Sequence, residues 1–249
     1  GGLRDQLGEW ENALQDWQMA RTLFEQQDDP RTAADVARSM ANLLMWRGDG
    51  ETALHLLEDE VLPVFNKLGD MRLRALTMND IADILKGQGK LDEALRIYEE
   101  QIPILEKQGD RRTCALIMCE IARIRVKQGN LDKALHILEE QIPILEQLGD
   151  TRARAITMVE MARILQAQNE WDEALRILEE QIPIFKQLGD IHGRASTMTS
   201  IASIRHARGE LDAALRIYEE QIPVFEKLGD VHNLNFIRKR IAEIEQAMG

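Results

Sequence analysis

Aromatic residues and cysteines are scarce in this chain of 249 residues. Phenylalanine, tryptophan and tyrosine together make up 4% of the sequence, although 44% of the residues are hydrophobic. A core with so few rings must be built from aliphatic side chains, as in thin layers of paired helices. The two cysteines, Cys114 and Cys119, would point to different faces of a helix. We therefore expect neither a disulfide nor a metal site from this pair.

The chain also lacks long apolar runs and an excess of positive charge. No segment approaches the roughly 18 apolar residues that a membrane span requires, and the formal net charge is −12 at pH 7. Nucleic acids and anionic membranes need a clustered basic face, so we expect neither as a partner. We also expect no signal peptide, because the start lacks its pattern. Gly1-Gly2 without a methionine predicts a fragment of a longer, cytoplasmic protein.

Sequence motifs of catalysis are missing as well. There is no glycine-rich phosphate loop, no nucleophile–base pattern and no cluster of His, Cys and Asp with metal-ligand spacing. Paired glutamates are abundant, but they follow a repeat and are expected on its outer faces. We therefore predict a protein that is not an enzyme, with no catalytic residues, no cofactor and no metal.

What the chain does have is a period of 40 residues. A thirteen-residue phrase that begins at Leu91 returns three times, with its tryptophan variant at Trp171. Gly-Asp dipeptides keep the same spacing, at positions 69–70, 109–110, 149–150, 189–190 and 229–230. A fixed period of this length is typical of stacked-repeat solenoids, which bind partners along an extended surface.

Each period contains two stretches with helical apolar spacing, which we name the first and the second helix. In residues 70–109, Asp70 fits an N-cap, and Gly69 and Gly89 fit glycine stops after helices. Alanines recur where the two helices of a pair would cross. They are Ala41, Ala82, Ala122, Ala162, Ala202 and Ala242 in first helices, and Ala13, Ala53, Ala94, Ala134, Ala174 and Ala214 in second helices.

These residues carry a family resemblance. The order and spacing of Ile81-Ala82, Leu85, Gly89, Ala94 and Tyr98 resemble the tetratricopeptide repeat (TPR). The resemblance extends from residue 8 to the C-terminus and implies an all-α solenoid of antiparallel helix pairs wound into a right-handed superhelix. The usual unit has about 34 residues. The longer unit here resembles arrays in bacterial signalling proteins, where they accompany STAND-type NTPase or CHAT-type protease modules.

The register predicts one repeat array over residues 1–249. Its parts are a partial unit at 3–28, units at about 29–69, 70–109, 110–149, 150–189 and 190–229, and a C-terminal capping helix at about 230–247.

Prolines interrupt the pattern inside the second helices, at positions 63, 103, 143, 183 and 223. An interior proline removes a backbone hydrogen bond and clashes with the preceding turn, so we predict a kink at each. The unit that ends at Gly69 has one extra residue after Ala53. We predict a bulge or a tighter break in that second helix.

Arginines recur near the starts of first helices, where the helix dipole disfavours cations. We predict a ladder of salt bridges between repeats, with the Glu-Glu pairs of the second helices as partners; the alternative is an anion-binding strip. His192 and His232 take arginine positions in this series, so we interpret them as substitutes within the ladder and not as ligands.

The resemblance implies that one stripe of the first helices lines a concave groove that holds partners. The repeats differ most at this stripe, whereas the second helices are near copies. Its candidate residues are Arg38, Asn42, Trp46, Asn79, Asp83, Lys86, Arg123, Arg163, Gln166, Ser203 and His206. We predict that Arg123 and Arg163 form a basic spot for a protein or peptide; the alternative is that they are ordinary solvated helix residues.

A clamp for a terminal carboxylate, made from Arg38, Asn42 and Asn79, is a weaker version of this hypothesis. Its second half would need cations where the chain has Leu116 and Glu120.

Two functions compete at this stage. The array could capture a protein or peptide in its groove, or it could be the sensor or autoinhibitory arm of a larger bacterial signalling protein and engage another domain of the same chain. A third possibility is a homo-oligomer formed by end-to-end stacking, because Trp10, Leu14 and Trp17 of the first unit would be partly uncovered. The sequence does not identify the partner.

Overall fold

A computed structural model describes the backbone of residues 2–248 and the side chains of residues 11–45 and 47–248. Within this part of the chain there are helices and no strands, which confirms the predicted all-α class. The chain divides into two compact units, Gly1–Gly109 and Asp110–Gly249. We describe each unit by itself, and the single array over residues 1–249 stays a prediction.

In the first unit, helices that are joined by a short turn pack against each other. The helices of this unit are α1 (Gly2–Gln26), α2 (Pro30–Arg47), α3 (Gly50–His55), a π-helical segment (Leu56–Val61), α4 (Leu62–Leu68), α5 (Met71–Gly87) and α6 (Leu91–Gln108). The second helix of the α2 repeat is therefore continuous from α3 through the π segment to α4.

The second unit repeats the helix pair more regularly, and again each helix packs on the next. Its helices are α7 (Arg111–Lys127), α8 (Leu131–Gln147), α9 (Thr151–Ala167), α10 (Trp171–Gln187), α11 (Ile191–Ala207), α12 (Leu211–Leu228) and α13 (Val231–Met248). In this unit the odd-numbered helices are first helices and the even-numbered ones are second helices.

Aspartate caps and left-handed residues set the helix ends as predicted. The side chain of Asp70 accepts a hydrogen bond from the backbone N–H of Leu73 at 3.0 Å, which satisfies a donor that the first turn leaves unpaired. Gly69 ends the preceding helix with a φ of 66°, where a β-carbon would be strained. Asn169 takes the same left-handed conformation (φ 66°) at a position where other repeats have glycine.

The crossing alanines lie in the core, as predicted. Each pair of complete helices buries them fully, and all of the following are 0% exposed: Ala41, Ala82, Ala122, Ala162 and Ala202 in first helices, and Ala53, Ala94, Ala134, Ala174 and Ala214 in second helices. The prediction was wrong for Ala242, which is exposed on α13, because no second helix of the described chain packs on that face. Trp17 is partly uncovered, as predicted, at 38% exposed.

The extra residue of the α2 repeat is accommodated in the π segment, which confirms the predicted bulge. A π-helical turn holds one more residue than an α-helical turn, so the residues on both sides keep their phase toward the core. Val61 closes the segment fully buried, and Pro63 follows as the second residue of α4.

The prolines of the other second helices lie inside unbroken α-helices. Kinks at Pro103, Pro143, Pro183 and Pro223 stay a prediction. Two residues before each proline stands a buried glutamine that the sequence analysis overlooked: Gln101, Gln141, Gln181 or Gln221. The Oε1 atoms of Gln101 and Gln181 have no hydrogen-bond partner.

A salt-bridge ladder joins successive repeats, but its partners differ from the prediction. The acceptors are the N-cap aspartates of the following first helix and not the Glu-Glu pairs. The rungs within the described residues are Arg31–Asp70, Arg112–Asp150, Arg152–Asp190 and His192–Asp230, at 2.8, 2.7, 3.0 and 2.9 Å. In the arginine rungs, each aspartate thus offsets a cation near one helix start while capping the next helix. The exposed pairs contribute only about 0–1 kcal/mol each.

Candidate binding face

First helices contact one another within each unit and form a layer. In the first unit α2 contacts α5, and in the second unit α7, α9, α11 and α13 are in contact in succession. We name the surface of this layer that carries the predicted stripe the first-helix face. It is the surface on which the candidate residues with described side chains are compared below.

In the first unit the candidate cation Arg38 lies between two carboxylates. It donates to Asp35 at 3.1 Å and to Asp80 at 2.9 Å, and Asn42 also hydrogen-bonds Asp80. Burial raises the pKa of the Asp80 carboxyl, and the opposing effects of Arg38 and Asn42 do not fully offset it. Arg38 is therefore committed to acids of its own unit, which disfavours the carboxylate clamp.

The candidates Asp83, Lys86 and Asn79 of the first unit also have internal partners. Asp83 accepts hydrogen bonds from Lys86 and from the hydroxyl of Tyr98, the latter at 2.9 Å. Asn79 accepts one from the buried Gln101 at 3.0 Å. These polar groups tie the first helix α5 to itself and to the second helix α6.

In the second unit, Arg123 and Arg163 alternate with two glutamates. Arg123 contacts Glu120 and lies 3.7 Å from Glu160. Arg163 donates to Glu160 at 3.1 Å and to the hydroxyl oxygen of Ser196 at 3.1 Å. The predicted basic spot is therefore part of a mixed-charge row and not an isolated pair of cations.

Part of the variation along the stripe follows the core of the second helix. Where the second helix has Tyr98 or Tyr218, the first helix has Asp83 or Ser203, whose oxygen lies 2.9 Å from the tyrosine hydroxyl. Where the second helix has Leu138 or Leu178, the first helix carries Arg123 or Arg163 instead. A buried tyrosine needs a polar partner, whereas a leucine needs none.

A cavity of about 490 Å³ opens on the first-helix face of the second unit. It lies between α9, α11 and α13, and we name it the α9–α13 cavity. Its lining residues are Arg163, Gln166, Ser196, Thr199, Ser200, Ser203, His232, Asn233, Phe236 and Arg240. Arg163, Gln166 and Ser203 were candidates from the sequence. No carboxylate lines this cavity, although acids outnumber bases by 43 to 31 in the whole chain.

One position of the first helices explains this change of charge. Two residues before the crossing alanine, successive repeats carry Asp80, Glu120, Glu160, Ser200 and Arg240. Asp80 pairs with Arg38, and Glu160 lies near Arg123, so an acid at this position meets a cation of the preceding first helix. For Arg163 the next repeat supplies Ser200 in place of an acid. At Arg240 the position has become a cation.

A second cavity of about 230 Å³ continues along the same face between α9 and α11. It shares Arg163 and Ser196 with the α9–α13 cavity and extends to Glu160 and His192. The two cavities therefore adjoin along the first helices, and we name them together the channel.

The family of MalT-like TPR regions matches residues 59–243, well over half of the chain. The chain therefore belongs to the MalT-like TPR family. This membership confirms the resemblance that the 40-residue repeat carries. No curated protein matches the chain in sequence.

Solved structures with similar folds are distant in sequence from this MalT-like TPR chain. A STAND protein with a tetratricopeptide repeat sensor from Pyrococcus horikoshii is 17% identical, with a TM-score of 0.70 over 99% of this chain and 37% of that one. Aspartyl phosphate phosphatase F from Bacillus subtilis is 12% identical, with a TM-score of 0.72 over 91% and 61% of the two chains. The Rap conjugation gene regulator of plasmid pLS20, in complex with the Phr* peptide, is 15% identical, with a TM-score of 0.66 over 99% and 72%.

At these identities the likeness establishes the fold and confirms the TPR-like α-solenoid class of this chain. It does not transfer activities, because one fold serves many functions.

Several cavity residues of this MalT-like TPR chain were missed from the sequence. The stripe chosen there followed the positions of Asn79, Asp83 and Lys86, whereas Ser196, Ser200, Phe236 and Arg240 lie one neighbouring row away. The acid-to-serine-to-arginine change in that row was a visible signal. His206 is half-buried on α11 and does not line the cavity. The Trp46 side chain, also a candidate, lies outside the described residues.

Metal and membrane sites were also searched for in this MalT-like TPR chain. Within the described residues, no group of three or more His, Cys, Asp and Glu is arranged to hold a metal ion. No helix among them has both the length and the apolar character to cross a membrane. Cys114 and Cys119 are not joined by a disulfide, and burial raises the pKa of the Cys119 thiol despite its contact with the Thr157 hydroxyl.

Proposed function

We propose that this chain is a cytoplasmic binding module that holds a peptide or protein segment on the first-helix face of its second unit. The observation that carries the proposal is the channel, the two adjoining cavities that share Arg163 and Ser196. Its lining combines cations, hydroxyls, the rings of Phe185 and Phe236, and the carboxylates of Glu160 and Asp190 in the smaller cavity. Most of these residues lie on first helices, whose exposed residues differ between repeats. The second helices are near copies and offer no such variation. The proposal assigns the chain no catalytic step.

The Rap regulator that shares this fold was solved with a peptide, which supports a peptide as the kind of partner. A segment in extended form suits an open channel, because its backbone and alternate side chains can both find polar partners there.

Selection from a random peptide display library tests the proposal. The wild-type chain is panned beside Arg163→Glu, on the first-helix face, and Arg176→Glu, on the outer face of α10. Arg176 is exposed and pairs with Glu173 and Glu180 of its own helix. We expect peptides that wild type and Arg176→Glu both retain and Arg163→Glu loses. Equal retention by all three proteins, or no enrichment on wild type, would contradict the proposal.

A second candidate function is a sensor arm of a larger signalling protein, and the STAND structure favours it. This chain matches almost entirely within 37% of that protein. An immunoblot of the native source with antibodies against this chain distinguishes the two. A band well above 28.5 kDa supports an arm joined to further domains, whereas a band at that mass contradicts it.

A further inference from the structure

We infer that the α9–α13 cavity selects an acidic segment of a peptide through the side-chain carboxylates of aspartate or glutamate. The inference rests on the proposed function, because it names the chemistry of the partner that the first-helix face would hold. Its basis is the charge of the cavity lining, the hydrogen bonds already made by the lining groups, and the continuity of the cavity with its neighbour.

The two guanidinium groups of the cavity come from different helices. Arg163 lies on α9 and Arg240 on α13, with 43% and 40% of their side chains exposed. Each has one carboxylate partner on its own helix, Glu160 at 3.1 Å and Glu243 at 2.8 Å. Glu243 is not among the lining residues of the cavity. A guanidinium has five N–H donors, so one carboxylate leaves donors for a ligand.

The hydroxyls of the lining divide into two kinds. Thr199, Ser200 and Ser203 donate to backbone carbonyls one turn earlier in α11. The Ser196 oxygen instead accepts from Arg163. This bond uses a lone pair of the Ser196 hydroxyl oxygen and not its hydrogen. The hydrogen can therefore donate to a carboxylate that Arg163 also binds. Arg163 and Ser196 together form a two-point donor for one carboxylate oxygen pair.

The aromatic ring sets the second anchoring point. The guanidinium of Arg240 lies over the ring of Phe236, 5.2 Å from its centroid, which holds the cation in place. An acidic side chain that pairs with Arg240 would place its methylene groups against Phe236. Arg163 and Ser196 line both this cavity and its neighbour. A segment that continues from one cavity to the other therefore fits this face better than a chain end does.

The test is a selection from three peptide libraries that differ in their content of acidic residues and in the chemistry of their C-terminus. One library carries Asp or Glu at internal positions and an amidated C-terminus. The second carries no acidic residue but keeps a free terminal carboxylate, and the third has neither. Each is panned on wild type and on Arg163→Glu/Arg240→Glu. The matched control, Arg176→Glu/Arg238→Glu, makes the same change in net charge away from the cavity.

We expect wild type and control to enrich the internally acidic library and the double charge reversal to lose that preference. Affinity for an enriched acidic peptide, measured by fluorescence anisotropy, should fall about tenfold or more in Arg163→Glu/Arg240→Glu. The milder Arg163→Gln/Arg240→Gln, checked by circular dichroism, should weaken binding in the same direction if the reversed protein is unfolded.

Other outcomes would overturn the inference. Enrichment of the free-carboxylate library alone would assign the cavity to a chain end. Peptides that are lost in the charge-reversed protein but show no acidic preference would remove the inference and leave the proposed function standing. If wild type enriches nothing from any library, both fail.

Discussion

The two units treat the cations of their first helices differently. In the first unit, Arg38 lies between Asp35 and Asp80, and Lys86 contacts Asp83. In the second unit the position that corresponds to Asp80 is occupied by Glu160, then by Ser200 and finally by Arg240. Charges are therefore matched within the first unit, whereas the second unit ends in a cavity lined by two arginines and no acid.

The difference indicates where a repeat protein keeps its scaffold and where it can bind a partner. A cation paired on both sides stabilises its own helices and has little left for a ligand, since a ligand would have to displace the acids. A cation with one partner and an open cavity beside it retains donors. The units also differ in their second helices, since only the first unit contains the π segment among the described residues.

The largest expected effect comes from deleting one residue, which the π segment should tolerate and a regular second helix should not. Deletion of Glu58, an exposed residue of the π segment, should convert that segment to α-helix and keep the fold, because the repeat then has the usual length. Deletion of Glu139 in α8 should prevent folding, since it rotates half of the helix by about 100°. Circular dichroism and urea unfolding of both variants measure this. A folded Glu139 deletion would show that the phase of the second helix is not fixed by its core.

A close approach in the second unit predicts the next largest effect. A β-carbon at Gly193 would lie 2.7 Å from Cδ1 of the buried Phe185, whereas the first unit has Leu73 at the equivalent position. We expect Gly193→Leu to destabilise the protein by about 2–3 kcal/mol through overpacking. Adding Phe185→Leu should recover part of the loss in a urea-unfolding double-mutant cycle. Additive losses would contradict this contact.

Substitutions at the position of the buried glutamines should change stability by a smaller amount, with opposite signs in the two units. Gln181 is 1% exposed and its Oε1 has no partner. Replacement by leucine should stabilise the protein by about 1 kcal/mol, because an unsatisfied buried acceptor is removed. Val61→Gln, the reverse change in the first unit, should destabilise it by a similar amount. If thermal melts give a loss for Gln181→Leu, the amide has a structural or binding role that its hydrogen bonds do not reveal.

Lowering the pH should have the smallest effect on stability, and the sign of this effect differs between aspartates. Burial raises the pKa of the Asp190 carboxyl, but the Gly193 amide and Arg152 outweigh it, so the pKa is lowered overall. Its stabilising effect is therefore complete above the unfolded-state pKa near 3.8 and is lost as the pH falls toward the lower folded-state pKa. Asp80, whose pKa is raised by burial, instead gains stability on protonation.

The melting temperature should therefore decrease by a few degrees as the pH is lowered from about 5 to about 3, and less so in Asp190→Asn. The control is Asp80→Asn, which should show the steeper decrease of the two variants. An identical acid response in wild type and Asp190→Asn would exclude this ladder aspartate as a source of acid sensitivity.

The periodic features were predictable from the sequence because they depend on local chemistry. The caps at Asp70 and Gly69, the crossing alanines and the extra residue before Pro63 all follow from helix geometry and spacing. The partners of the ladder could not be predicted in this way. Arg152 contacts an aspartate 38 residues later in the sequence, and this contact depends on how successive repeats stack. The cavity was predicted only in part: Arg163, Gln166 and Ser203 were chosen, whereas Phe236 and Arg240 lie on a row whose orientation only packing defines.

The most direct test of the account is amide hydrogen–deuterium exchange of the whole chain with and without a peptide enriched by selection. The account predicts slower exchange in α9, α11 and α13 on binding, with no change in the second helices α10 and α12 beyond their contacts with that layer. It also predicts that Arg163→Glu/Arg240→Glu abolishes this protection. Protection centred on α2 and α5, or on the outer faces of the second helices, would contradict the assignment of binding to the first-helix face of the second unit.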